Sequence, residues 1–211
     1  MADHLEIEQK FDVDEDFERP DFGTLRDVLR EDVTAGTPVR YQLAATYYDT
    51  QDERLLASKI TLRRRTGGTD EGWHLKLPAG QDARHELGEP LGGGSADAAG
   101  GVPERFAALV ADVTGGLPLA PIAVLDTDRT VVTLTGRDGR VVAEIADDLV
   151  SARRVAGSAE VTAGQPLRWR EIEIEVPVAW PRLQQAAADL LRAAGARPAG
   201  HGSKLARLLS R

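Results

Sequence analysis

The residues best able to do chemistry begin almost at the first position. Glu6, Glu8 and Lys10 stand two apart in the stretch Leu5-Glu6-Ile7-Glu8-Gln9-Lys10-Phe11. Successive side chains of a strand point to opposite faces. As a strand, this stretch therefore presents two carboxylates and an ammonium on one face, with Leu5, Ile7 and Phe11 on the other. The same charged alternation recurs downstream. Thr61, Arg63 and Arg65 share a face, as do His74 and Lys76, Arg84 and Glu86, Glu144 and Asp148, and Glu171, Glu173 and Glu175. Carboxylates coordinate hard divalent cations through oxygen. Guanidinium and ammonium groups hold phosphate oxygens. A polyphosphate carrying a divalent ion needs both kinds of group along one channel. Turned outward, the same residues form a salt-bridged surface, and alternation alone serves either arrangement.

The elements that must position these groups are mostly strands in hairpin order. Val39 to Asp49, Lys59 to Arg65, Trp73 to Leu77, Ala83 to Leu87, Ile122 to Thr135, Val141 to Val150 and Trp169 to Val176 join the first stretch to give about eight. Turns rich in Gly separate several of them, as at Thr66-Gly67-Gly68-Thr69-Asp70 and Gly136-Arg137-Asp138-Gly139. Apolar residues at helical spacing predict helices over Phe22 to Arg30, Pro103 to Val113, Pro181 to Ala194 and Leu205 to Leu209. Parallel βαβ alternation is absent. The Gly/Ala-rich stretch 88–101 reads as a flexible loop, and no linker divides the chain, so 1–211 is expected to be a single domain.

Composition narrows the function classes. The 211 residues are 42% hydrophobic and 28% charged, as in globular proteins of one domain. A net charge of −8 argues against a general nucleic-acid binder. With no cysteine, disulfides, thiolate catalysis and Cys-based zinc sites are excluded. Neither a secretory signal nor an apolar run long enough for a bilayer is present, and a cytoplasmic location without membrane association is the expectation. Gly92-Gly93-Gly94-Ser95 lacks the Gly-Lys-Ser/Thr of a phosphate loop.

The opening Glu-x-Glu-x-Lys resembles the signature of the CYTH superfamily, the triphosphate tunnel metalloenzymes. Further segments follow in family order. Tyr47-Tyr48-Asp49-Thr50 and Leu62-Arg63-Arg64-Arg65 are similar to its Y-F/Y-D-T and L-R-x-R elements. Leu75-Lys76-Leu77-Pro78 resembles the L-K-x-P strand, and Arg84 with Glu86 matches the next one. Arg129 matches the basic position of the sixth strand, Glu144 and Asp148 the E-x-x-x-D pair, Glu171 and Glu173 the late acidic pair, and Ser203-Lys204 the terminal S-K element. Asp147 beside Asp148 leaves open which of the two is the inward acid. Asp126 stands near Arg129 where many relatives carry a base.

The resemblance implies an α+β fold: an antiparallel eight-stranded closed β-barrel with helices packed outside. It implies metal-dependent hydrolysis of inorganic tripolyphosphate or a related triphosphate, with Mg²⁺ or Mn²⁺ as cofactor. Glu6, Glu8, Glu144, Asp148, Glu171 and Glu173 would hold the metal. Lys10, Arg63, Arg65, Lys76, Arg84, Arg129 and Lys204 would bind phosphate, and Glu6, Glu8 and Lys10 would act at the reacting centre. The alternatives within the fold are an adenylyl cyclase and a thiamine triphosphatase. A non-catalytic polyphosphate-binding module is the alternative from another class. The segments around Trp73 and Trp169-Arg170-Glu171 are similar to members fused to a CHAD domain, which makes such a domain the expected partner.

Overall fold

The structure, a computed structural model, describes residues 3–79, 83–92, 101–155, 166–176 and 180–210, and of residues 3–7 and 83 the backbone alone. The first strand, β1 (Asp3–Val13), contains the Glu-x-Glu-x-Lys stretch. The remaining long strands are β3 (Val39–Asp49), β4 (Thr61–Thr66), β5 (Gly72–Pro78), β6 (Ala83–Glu89), β7 (Ala120–Thr135), β8 (Val141–Arg154) and β9 (Leu167–Val176). Two short strands, β2 (Thr34–Ala35) and β10 (Arg197–Pro198), attach to β7 and β1. Neither was legible in the sequence, because two residues carry no period.

The long strands run β1-β6-β5-β4-β3-β7-β8-β9 and then return to β1. Residues Asp3 to Ile7 of β1 pair with β6, and Ile7 to Val13 pair with β9. The ring closes with every neighbour antiparallel, which is the expected eight-stranded barrel. Closure removes the open sheet edges and gives the alternating side chains an inside and an outside.

Helices decide which face is which. Helix α1 (Leu25–Leu29) and α5 (Pro181–Ala193) cover the outer face of β1, β7, β8 and β9. There Phe11, Ile145, Ile172 and Ile174 pack with Leu25, Leu183 and Leu191. Pro181 opens α5 where its missing N–H is harmless, and Ala187, Ala188 and Leu191 continue its buried stripe. Helices α2 (Arg54–Ala57), α3 (Glu104–Leu109) and α4 (Ala111–Thr114) cover β4, β5 and β6. Leu62, Trp73, Leu75 and Leu87 meet Leu55, Phe106 and Val110 in that cluster. The single helix expected over 103–113 is interrupted at Val110 (φ −108°, ψ 8°), while Phe106 and Val110 still reach the same cluster. Helix α2 was missed by periodicity. The buried Asp49 carboxylate holds it by accepting the N–H groups of Leu55 and Leu56 at 2.8 and 2.9 Å, a structural duty for the Tyr-Tyr-Asp-Thr segment.

The barrel interior is divided. Helix α6 (Lys204–Leu209), whose start Ser203 caps by accepting the Ala206 N–H, sets Leu205 and Leu208 against Ala45, Leu125, Val150, Ala152 and Trp169. A polar cavity of about 160 Å³ remains toward β1 and β4 to β6. The expected loop over 88–101 starts later, because β6 runs to Glu89, and its residues 93–100 lie outside the described residues. Among the described residues no helix is long and apolar enough to cross a membrane.

Leu75 is fully buried under α3, whereas Val141 is 46% exposed. Leu75→Ala is expected to destabilise by about 2–5 kcal/mol, and Val141→Ala by less than about 0.5 kcal/mol. Urea unfolding of the two variants measures both.

Candidate active site

Strand register brings the charged residues together. On β8 and β9, Asp148 lies opposite Glu171, Ala146 opposite Glu173, and Glu144 opposite Glu175. On the other side of β9, Glu171, Glu173 and Glu175 face Asp12, Lys10 and Glu8 of β1. Arg129 of β7 stands opposite Asp148. Three strands distant in sequence therefore build one acidic wall.

Its centre is Asp148, Glu171 and Glu173, each 3% exposed or less, with one carboxylate oxygen from each lying within 4.8 Å of the others. Four cations hold these acids: Arg129, Lys204, Lys10 and, 3.6 Å from Glu171, Arg207. Arg129 donates through Nε and Nη2 to both oxygens of Asp148 at 2.8 and 2.7 Å, and through Nη2 to Glu173 at 2.8 Å. Lys204 Nζ lies 2.9, 2.8 and 2.7 Å from Asp148, Glu171 and Glu173. Lys10 contacts Glu173 closely and donates to Glu8 at 3.0 Å. Burial works against the Glu173 charge, but Lys10, Lys204 and Arg129 hold its carboxyl well below the usual range. Burial likewise opposes Asp148, and Lys204 and Arg129 hold it below. Lys204 and Lys10 rise above their ordinary value despite burial, Lys204 through Asp148, Glu173 and Glu171 and Lys10 through Glu173 and Glu8.

The opposite wall is basic. Tyr47 of β3 pairs with Arg63 of β4, Arg63 with His74 of β5, and Lys76 with Glu86 of β6. Arg63, Arg65, Lys76 and Arg84 all line the cavity. Lys76 Nζ lies 2.9 Å from Glu86, and Arg63 donates to the Tyr47 hydroxyl at 3.4 Å. Arg84 donates to the carbonyls of Lys59 and Gly202 at 2.7 and 3.4 Å. Arg65 reaches the Asp70 carboxylate. Burial, then the Arg63 and Arg129 guanidiniums, push Arg65 down to about 9. The Nε atoms of Arg63 and Arg65 are buried without a hydrogen-bond partner. A buried donor left unsatisfied costs about 1–3 kcal/mol, and an anion oxygen would remove that cost.

Most of the residues singled out in the sequence meet here, with differences that register explains. Arg129 and Lys204, expected on phosphate, sit among the acids. Asp148, not Asp147, is the inward acid. Asp147 faces the opposite way, where Arg170 takes both its oxygens at 2.9 Å and Arg19 lies 3.3 Å away. Glu144 is exposed, opposite Glu175 and apart from the buried triplet. Glu8 lines the cavity beside Lys10, and the Glu6 side chain lies outside the described residues. Asp126 is exposed, three positions from Arg129 and so on the other face of β7, away from the basic wall. Tyr47, His74, Glu86 and Glu175 also line the cavity without having been assigned a part in the site. For His74, Glu86 and Glu175 strand parity was the available signal, since each stands two positions from an assigned residue of its own strand; Tyr47 has no assigned residue on its strand.

The donor set fits a hard divalent cation. Three buried carboxylates converge, and the Lys204 ammonium, 2.8 Å from Glu171 Oε1, shows that they already accommodate a cation among them. The barrel thus encloses carboxylates on one wall and guanidiniums on the other. The chain belongs to the CYTH domain family, which it matches over residues 4–208. An uncharacterized protein of Mycobacterium tuberculosis H37Rv is 42% identical over 217 residues, covering 99% of this chain and 40% of its own length. The chain thus spans about two fifths of the curated relatives it matches. A candidate adenylate cyclase from Bacillus halodurans shares the fold with a TM-score of 0.60 at 17% identity, covering 98% of both chains. The PH1819 protein of Pyrococcus horikoshii OT3 gives 0.51 at 16% identity over 97% of this chain and 98% of its own. At these identities the two structures show the fold alone.

The shifts set the pH dependence of stability. Asp148 and Glu173 titrate lower folded than unfolded, where their values are 3.8 and 4.5. Their contribution is present above about pH 5 and is lost as pH falls through the folded values. Lys10 and Lys204 are raised above 10.5, so theirs is present below that pH and lost as it rises through the folded values. Lys204→Met leaves buried carboxylates short of a partner. It is expected to lose about 3–5 kcal/mol at pH 7, with the deficit narrowing below about pH 5 as the carboxylates take up protons, as read by urea unfolding across pH.

Proposed function

We propose that this protein is a divalent-metal-dependent triphosphatase acting on inorganic tripolyphosphate or a related triphosphate inside the barrel. One observation carries the reading: a buried carboxylate triplet and two buried, unpartnered guanidinium Nε atoms belong to opposite walls of the same barrel interior. A ligand that satisfies both walls must be strongly anionic and must come with a cation.

Asp148, Glu171 and Glu173 would hold the ion, with Glu8 at the edge of the set. When bound, Mg²⁺ or Mn²⁺ supplies Lewis acidity toward a phosphoryl oxygen and makes a coordinated water more acidic. Arg63 and Arg65 bind and orient the phosphate chain through Nε and offset charge that grows during transfer. Their place inside the barrel strengthens that interaction, because charges inside a protein are screened less than in bulk water. Lys76 and Arg84 extend the basic wall. Lys10, Arg129 and Lys204 stand at the seam, balancing the carboxylates within the same cavity. No covalent nucleophile is required.

Phosphate release from tripolyphosphate, ATP and long-chain polyphosphate, with Mg²⁺, Mn²⁺ or EDTA, tests the reading. Metal-dependent release from tripolyphosphate supports it. Binding without release marks a polyphosphate-binding module, and cyclic AMP formation from ATP marks a cyclase. Glu171→Gln should lower metal-dependent kcat by about 100-fold or more. Arg65→Ala should raise KM by about 10- to 100-fold with a smaller change in kcat. Unchanged turnover in both variants would contradict the proposal.

A further inference from the structure

His74 projects from β5 into the cavity and is 7% exposed. Both of its ring nitrogens meet acceptors. Nδ1 is 2.8 Å from Glu86 Oε1, and Nε2 is 2.9 Å from the backbone carbonyl oxygen of Asp70. A neutral imidazole has one N–H and one lone pair. It can donate to only one of these oxygens, so the second contact requires one more proton, on the ring or on Glu86. Glu86 is held as a carboxylate by Lys76, 2.9 Å from Oε2, and by Arg63, 4.0 Å from Oε1. The extra proton therefore belongs on His74.

The surroundings resist it. Burial lowers the affinity of His74 for a proton. The Glu86 hydrogen bond works the other way, Arg63 and Arg65 on β4 lower it again, and the balance falls below the ordinary 6.5. Of the remaining charges that line the cavity, Lys76 shares its strand, the Asp70 carboxylate is taken by Arg65, Arg84 stands on β6, and Glu8, Lys10, Arg129, Glu173, Glu175 and Lys204 complete the lining. The hydrogen-bond geometry thus asks for a charge that the basic wall penalises. An anion against Arg63 and Arg65 reverses the sign of that penalty.

We propose that His74 is a proton-linked specificity residue: a multiply charged phosphate anion entering against Arg63 and Arg65 draws one proton from solvent onto the imidazole. The wall gains a positive charge together with its ligand, and highly charged anions are favoured over weakly charged ones. This rests on the polyphosphate reading above and assigns that site a residue and a proton count it did not have.

Titration calorimetry with inorganic tripolyphosphate in EDTA, in buffers of different ionisation enthalpy, counts the protons taken up. Comparing the parent with His74→Asn, which keeps a donor toward Glu86 but cannot titrate, cancels the ionisation of the ligand itself. The parent should take up close to one proton more than the variant near pH 6.5. It should bind about tenfold tighter than the variant at pH 6 and equally at about pH 8.5. Equal proton counts and equal pH slopes would overturn the role of His74 while leaving anion binding intact. Absence of tripolyphosphate binding to the parent would overturn the polyphosphate reading and this inference with it. If His74→Asn does not fold, the imidazole resonance of His74 in the parent decides. Its midpoint should lie below pH 6.5 without tripolyphosphate and above it with tripolyphosphate, and an unmoved midpoint overturns the inference.

Discussion

The structure depends on one inversion. A strand with one charged and one apolar face usually turns the apolar face to the core. Here the apolar faces of β1, β4 to β6, β8 and β9 turn outward under a cover of helices. Ile172 and Ile174 meet α5, and Trp73 and Leu75 meet α3, so Glu171, Glu173, His74 and Lys76 have only the barrel interior left to them. Burial of the outer clusters supplies the hydrophobic stabilisation. That stabilisation allows the centre of the molecule to hold carboxylates and guanidiniums that would destabilise it alone.

Charge inside the barrel is sorted as well as enclosed. Asp148, Glu171 and Glu173 are matched by Arg129, Lys204 and Lys10 at hydrogen-bond distance, which is what a dry interior demands of ionised groups. Arg63 and Arg65 are matched less fully, each with a buried Nε that nothing accepts. The acidic side is internally balanced and the basic side is not. A polyanion therefore gains most on the β4 and β5 wall, and a divalent cation would reach the carboxylates by displacing the Lys10 and Lys204 ammoniums from them. The apolar contact of Leu205 and Leu208 with Trp169 anchors α6 and so keeps Lys204 at the centre of the acids.

Much of this was legible in the sequence because period-2 alternation is local. Glu171-Ile172-Glu173-Ile174 states its two faces without any partner. So do Arg63-Arg64-Arg65 and Trp73-His74-Leu75-Lys76, and all point as read. Pairing and register are not local. Whether Asp147 or Asp148 turned inward depended on which of them stood opposite Glu171. The resemblance implied phosphate binding by Arg129 from its match to the basic position of the sixth strand, and its place opposite Asp148 sets it among the acids. The division of the interior was equally invisible, since nothing in Leu205 to Leu208 says that a short apolar helix will pack against Ala45, Leu125 and Trp169. His74 shows in the sequence only as a residue sharing a face with Lys76. Its meaning lies in two acceptors, one of them on the next strand.

The central claim is that acids and bases from distant strands act on one ligand inside the barrel. The most direct measurement is a crystal structure of the protein soaked with Mn²⁺ and a non-hydrolysable triphosphate analogue, with anomalous scattering locating the metal. The account predicts manganese bonded to Asp148, Glu171 and Glu173, and phosphate oxygens on Nε of Arg63 and Arg65 in the same cavity. Metal and analogue bound only on the outer surface, with the carboxylate triplet still held by Lys204 and Arg129, would contradict it.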